Sequence, residues 1–127
     1  MGLKRLIVIV DDDVDTSQME KILLDKTGLY DVIVCNRGSE AFKIIHQMRP
    51  ELVLLDIMMP GADGGEIADQ IRKDKSLEAT RVVFMTSLVS QKEALETSVI
   101  GGHPFISKPV SGETFLKQVK GFLEIGH

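Results

Sequence analysis

The chain has 127 residues, 43% of them hydrophobic, and 15 Lys and Arg against 19 Asp and Glu give a net charge of −4. That length suits one domain whose core needs no metal or disulfide staple, and the acidic balance argues against direct binding to a nucleic-acid backbone. Cys35 is the single cysteine, so no intramolecular disulfide forms, and no apolar run approaches the roughly 20 residues of a membrane span.

The N-terminus has a basic start and then five apolar residues, Leu6 to Val10, before Asp11. This is too short for the core of a secretory signal. Leu6 also stands where a myristoylation signal wants Ser or Thr. A cytoplasmic protein is therefore expected.

Leu6 to Val10 reads as a buried strand, with Asp11-Asp12-Asp13 directly after it. Val14 to Lys26 reads as a helix, with Met19, Ile22 and Leu23 inward and Gly28 as its stop. Asp31 to Cys35 is a second strand. Gly38-Ser39 opens a helix that turns Ala41, Phe42, Ile44, Ile45 and Met48 inward and ends at Pro50. Leu52 to Leu55 is an unbroken apolar run bounded by turn formers, the pattern of a strand buried in a parallel sheet. Asp56 ends it. After a loop at Pro60–Gly64, Ile67, Ala68 and Ile71 mark a third helix.

Arg81 to Met85 is a fourth strand closed by Thr86-Ser87. Ser90 to Glu93 is a capping box that starts a fourth helix, with Leu95 and Val99 inward and Gly101-Gly102 at its end. Phe105 to Ser107 is a short fifth strand, stopped by Lys108-Pro109. Ser111 caps a last helix with Phe115, Leu116, Val119, Phe122 and Leu123 inward. A single domain over residues 1–127 is expected, with no linker, repeat or effector domain.

Five strands alternating with five helices predict a doubly wound α/β fold: a parallel sheet with helices on both faces. The flavodoxin-like order 2-1-3-4-5 is the common arrangement, in which strands one and three are neighbours. That order would set Asp11 and Asp12 beside Asp56, with Thr86 and Lys108 on the same rim. Ligands bind at this carboxyl edge of open α/β sheets.

Three carboxylates so close repel, each like pair at 4 Å costing on the order of 4 kcal/mol at an effective dielectric of 20. The cluster must take up a proton, a cation or the Lys108 ammonium. Oxygen ligands in a tight loop favour a hard ion, and magnesium suits two carboxylates, a backbone carbonyl and waters completed by a phosphate oxygen. Asp can form an aspartyl-phosphate, and Thr86 and Lys108 offer a hydroxyl and an ammonium to phosphoryl oxygens. Each residue alone has a simpler reading. A strand-end Asp caps a turn or helix, Asp11–Asp13 suit a helix N-terminus, and Lys108-Pro109 suit a solvent-facing turn. Their shared position, each just after a predicted strand, favours the chemical reading.

At this point the chain resembles a known family, the receiver domains of two-component response regulators. The matching pieces are Asp11-Asp12 after the first strand, Asp56 in Leu-Leu-Asp-Ile-Met-Met-Pro-Gly, Gly64, Thr86-Ser87 and Lys108-Pro109. They span essentially the whole chain. The resemblance implies phosphorylation of Asp56 by a histidine kinase or phosphotransfer protein. Magnesium would be held by Asp12, Asp56 and the Met58 carbonyl, with Asp11 acting through water. Thr86 and Lys108 would contact the phosphoryl group, and Phe105 matches the aromatic switch position. A protein of this kind catalyses only its own phosphorylation and dephosphorylation, and its output partner docks on the face of the fourth helix, fifth strand and last helix. Met58 and Leu88 stand two after Asp56 and two after Thr86, the positions that flank the water path in receivers. Both are apolar. One departure is His103-Pro104, where many receivers carry acidic residues before the aromatic.

Other readings fit less well. Asp11, Asp13 and Asp15 match the first ligands of a calcium EF-hand loop, but Thr16 replaces its Gly and Ile22 its closing Glu. Asp11-x-Asp13 also resembles the start of a haloacid-dehalogenase-type phosphatase, although Asp15 departs from that pattern and no late acidic motif follows. A receiver fold used as a phosphorylation-independent scaffold is the non-enzymatic alternative. His46, His103 and His127 show no metal-ligand spacing.

Overall fold

The computed structural model describes residues 4–59, 62–86, 99–100, 103–107 and 111–124. Five parallel strands build the sheet: β1 (Arg5–Val10), β2 (Tyr30–Cys35), β3 (Leu52–Asp56), β4 (Arg81–Thr86) and β5 (His103–Ser107). They lie in the order β2-β1-β3-β4-β5, the expected flavodoxin-like order. The helices are α1 (Val14–Lys26), α2 (Gly38–Met48), α3 (Gly64–Lys73) and α4 (Gly112–Glu124). The predicted fourth helix, from Ser90 onward, falls mostly outside the described residues.

The strands alternate side chains between two cores, as the period of two requires. Val8, Val10, Val53, Leu55, Val82, Phe84 and Phe105 face α2 and α3. Ile7, Ile9, Leu52, Leu54, Val83, Met85 and Ile106 face α1 and α4. This two-sided burial is why β1 and β3 read as unbroken apolar runs rather than alternating ones.

The helix ends follow local chemistry. Asp13 caps α1 by accepting from the Thr16 amide at 3.2 Å. Ser111 Oγ accepts from the Thr114 amide at 3.2 Å at the start of α4. Pro50 disfavours a right-handed helical Arg49, and Arg49 instead takes the left-handed conformation, φ 48° and ψ 60°, closing α2 with a bond to the Ile45 carbonyl.

The inward face of α1 differs from the expected one. Ser17, Glu20 and Leu24 are buried, Leu23 packs only partly, and Met19 and Ile22 are each 52% exposed. At about 100° per residue, Met19 and Ile22 lie roughly opposite Ser17 on the helix. The side chain of Ser17 accepts a bond from Asn36, which holds that face against the sheet. Met48, expected inward on α2, is 46% exposed. It occupies the last helical position, past the end of the packed stripe of Ala41 and Ile45.

Two short pairings were not anticipated. Met58–Met59 pairs antiparallel with Ala62–Asp63, a small hairpin inside the predicted loop. Val99, expected inside a helix, lies in a two-residue strand with Ile100 that pairs antiparallel with His103 and Pro104. The fifth strand thus starts two residues before Phe105. Pro104, which lacks a ladder donor, is accommodated in the first residues of the strand. Among the described residues, no helix is long and apolar enough to cross a membrane.

The rotation of α1 has a direct test in urea unfolding. Leu24→Ala is expected to cost about 2–5 kcal/mol, while Met19→Ala stays within about 0.5 kcal/mol. The reverse ranking would mean that Met19 faces the core.

Candidate functional site

The register of the sheet assembles the site. β1 pairs with β3 with Val10 opposite Leu55, so Asp11 and Asp56 leave the sheet at the same level of neighbouring strands. β3 pairs with β4 with Asp56 opposite Met85, which sets Thr86 one residue further along the adjacent strand. One carboxylate oxygen from each of Asp11, Asp12 and Asp56 lies within 4.8 Å of the others. Asp11 is 1% exposed and Asp56 8%, while Asp12 is exposed at the rim.

The three aspartates after β1 divide the work. Asp13 is the N-cap of α1, so the helix-capping reading applies to that residue. Its amide donates to Asp11 Oδ1 at 2.9 Å, and the Asp11 amide donates to the Cys35 carbonyl at 3.1 Å. Asn36 Nδ2 donates to the Asp11 carbonyl at 2.6 Å. Asp11 is thereby tied both to β2 and to the N-cap residue of α1, in the loop from which it and Asp12 come close to Asp56.

Gly64 matters on the far side. A Cβ there would lie 2.7 Å from the Asp56 carbonyl oxygen and 2.9 Å from the Ile57 Cα. Both are backbone atoms that cannot swing aside. Glycine lets the start of α3 rest directly on the turn that follows Asp56.

The donor set fits a hard divalent cation. Ligand oxygens in an octahedral magnesium shell of 2.0–2.1 Å radius are at most about 4.2 Å apart. A spread of up to 4.8 Å is close to that. Carboxylates and backbone carbonyls are the ligands that magnesium prefers over soft metals.

The other predicted residues are placed as follows. Thr86 is buried, 1% exposed, at the end of β4. Phe105 is buried on β5, opposite Phe84. The Met58 backbone opens the hairpin just past Asp56. Lys108 and Pro109 lie outside the described residues, as do Ser87 and Leu88; the chain neighbour of Lys108, Ser107, pairs with Thr86. His46 is half exposed, its Nδ1 2.6 Å from Asp74 Oδ2, and is not part of the acid cluster. Sequence reasoning missed Asn36 and Ser17, whose only signal was a polar side chain directly after β2 and another in the first turns of α1.

A Gly64→Ala variant is expected to lose about 1–3 kcal/mol in urea unfolding, because its methyl is forced onto backbone, even though alanine favours a helix by about 1 kcal/mol. A variant as stable as the wild type would mean that the α3 start does not rest on Asp56 and Ile57.

The family profile described as the response regulator receiver domain matches residues 7–120. Among solved structures, the BeF3-activated N-terminal receiver domain of RstA from Klebsiella pneumoniae is 31% identical, with a TM-score of 0.76, covering 94% of this chain and 98% of that one. The chemotaxis protein CheY4 of Vibrio cholerae is 25% identical at a TM-score of 0.80, with 94% and 99% covered. The receiver domain of a signal transduction histidine kinase from Syntrophus aciditrophicus is 27% identical at 0.78, with 94% and 89% covered. A profile match over nearly all of the chain, on a sheet that brings Asp11, Asp12 and Asp56 together, places this protein in the family of response regulator receiver domains.

Proposed function

We propose that this receiver domain accepts a phosphoryl group on Asp56 from a histidine kinase or phosphotransfer protein, with magnesium as cofactor, and that the change is read by a downstream protein. The observation that carries this is the convergence of the Asp11, Asp12 and Asp56 oxygens at the carboxyl end of β1 and β3. Asp56 is the nucleophile because it alone ends the central strand. One of its oxygens forms the bond to phosphorus as the donor's phosphorus–nitrogen bond breaks.

Asp12, Asp56 and the Met58 carbonyl would hold the ion, with Asp11 acting through water. When bound, magnesium supplies the positive charge that offsets carboxylate and phosphoryl oxygens as they approach. Thr86 and Lys108 contact the phosphoryl oxygens, and Phe105 belongs to the output switch. The output surface is the face of the fourth helix, β5 and α4, where His103-Pro104 replaces the acidic residues of many receivers. The domain turns over no separate substrate, and its own phosphorylation and dephosphorylation are its only chemistry. Neither nucleic acid nor membrane is a direct partner. The haloacid-dehalogenase reading loses support from Asp13, whose carboxylate caps α1. The BeF3-activated state of the RstA receiver domain offers a matching probe, since this anion has the shape of a bound phosphoryl group.

Incubation with acetyl phosphate and magnesium should add one phosphoryl group to the intact mass, and Asp56→Asn should remove that gain. Label persisting at the wild-type level in Asp56→Asn would refute the assignment.

The lifetime of the phosphorylated state follows from two apolar positions. Hydrolysis needs a water in line with phosphorus, and neither Met58 nor Leu88 carries a group that orients one. Without such a group the water-orienting step slows by roughly tenfold or more. The phosphorylated domain should therefore last minutes or longer without a partner phosphatase, and Met58→Asn with Leu88→Glu should shorten it. Phosphate release from purified phosphoprotein in excess magnesium measures this. A wild-type half-life of seconds, or no change in the double variant, would defeat the idea.

A further inference from the structure

Asn36 follows β2 directly, and its side chain crosses to the loop after β1. Its Nδ2 donates to the Asp11 carbonyl at 2.6 Å and to Ser17 Oγ at 2.9 Å. Ser17 Oγ donates its own hydrogen to the Val14 carbonyl at 3.0 Å, so it meets Asn36 as an acceptor. A carbonyl oxygen also only accepts. Both contacts therefore require N–H donors, and the amide nitrogen rather than its oxygen faces the loop. Aspartate, isosteric with Asn36, would offer neither donor.

The Asp11 carbonyl belongs to the planar peptide that joins Asp11 to Asp12. A bond to that oxygen fixes the plane, and with it the directions in which both side chains leave the backbone. The Asp11 amide is held on the other side by the Cys35 carbonyl at 3.1 Å. Ser17 anchors the same amide group to α1, where it is fully buried. Asn36 carries no charge, so it orders the acid pair without adding to its repulsion.

Like-charged side chains on a free loop swing apart, and a cation must then supply the free energy to gather them. We infer that Asn36 is a positioning residue for the cation site, locking the Asp11–Asp12 peptide with Ser17 as its second anchor so that the acids converge on Asp56 before the ion arrives. This rests on reading the acid cluster as a magnesium site. Groups that orient metal ligands without touching the metal are known to govern affinity in this way.

The test uses the whole chain, free of metal, titrated with Mg2+ by calorimetry and with Mn2+ by electron paramagnetic resonance. Asn36→Leu, which keeps the shape and removes the donors, should raise Kd by roughly tenfold. Ser17→Ala, which removes one of two acceptors, should raise it by roughly threefold. Hydrogen exchange at the Asp12 and Asp13 amides, measured without metal, should speed up in Asn36→Leu. A merely structural amide would lower the urea midpoint and leave Kd unchanged. Wild-type affinity in both variants overturns the inference while the acid cluster stands, provided that Asp12→Ala abolishes binding. Absence of binding in the wild type overturns the cation site and this inference together. Should Asn36→Leu not fold, wild-type affinity in Ser17→Ala is by itself enough to overturn it.

Discussion

Parallel pairing of β1 with β3, Val10 opposite Leu55, forces two carboxylates to leave the sheet side by side. Asp11 and Asp56 have no freedom to separate, because the strands that carry them are buried on both faces. A slip of one residue would move every core side chain of a strand to the wrong face. The hydrophobic register and the acid cluster are therefore one constraint. Whatever stabilises the core also holds like charges together, and the fold sustains that tension at the edge where α/β sheets bind ligands.

The surroundings of the cluster show how the tension is contained. Asp11, almost wholly buried, accepts a backbone N–H from Asp13 and sits in a loop tied to β2 through the Cys35 carbonyl and Asn36. Buried carboxylates are tolerated when hydrogen bonds replace water. Asp12 remains at the solvent rim, where a hydrated ion has access. On the opposite side, Gly64 brings α3 onto the Asp56 carbonyl without a side chain between them. Among the described residues, the acids are thus bounded by backbone on two sides, the loop tied to β2 and the start of α3.

Much of this was legible in the sequence, for a physical reason. A doubly wound sheet writes its strands as short apolar runs and its ligand edge as the polar residues that end them. Leu6–Val10 with Asp11, and Leu52–Leu55 with Asp56, declare both at once. The helix α3 stripe of Ile67, Ala68 and Ile71 was equally plain. Less legible were features that depend on partners distant in sequence. The Met58–Met59 hairpin and the pairing of Val99 with Pro104 are short backbone ladders with no side-chain period to reveal them. Asn36 and Ser17 meet across 19 residues, and a polar residue after a strand looks the same whether it faces water or a neighbouring loop.

The face of α1 is the instructive failure. Its apolar residues, Met19, Ile22 and Leu23, suggested an inward stripe, yet Ser17, Glu20 and Leu24 are the buried ones. Hydrophobic burial alone would favour rotating Met19 inward, by up to about 1.5–3 kcal/mol for a fully covered side chain. Against that stand the geometric demands of the site. Asp13 must cap the helix, Ser17 must meet Asn36, and both lie within the first turns. Turning the helix to bury Met19 would carry Ser17 out to solvent and leave the Asn36 donor and the Asp11 loop without their anchor. Losing that part-buried hydrogen bond costs about 0.5–1.5 kcal/mol, which offsets part of the apolar gain, and the loop geometry would be lost as well. The orientation of α1 is set from its N-terminal end, by the polar contacts that position the acids, and its exposed methionine and isoleucine follow from that choice.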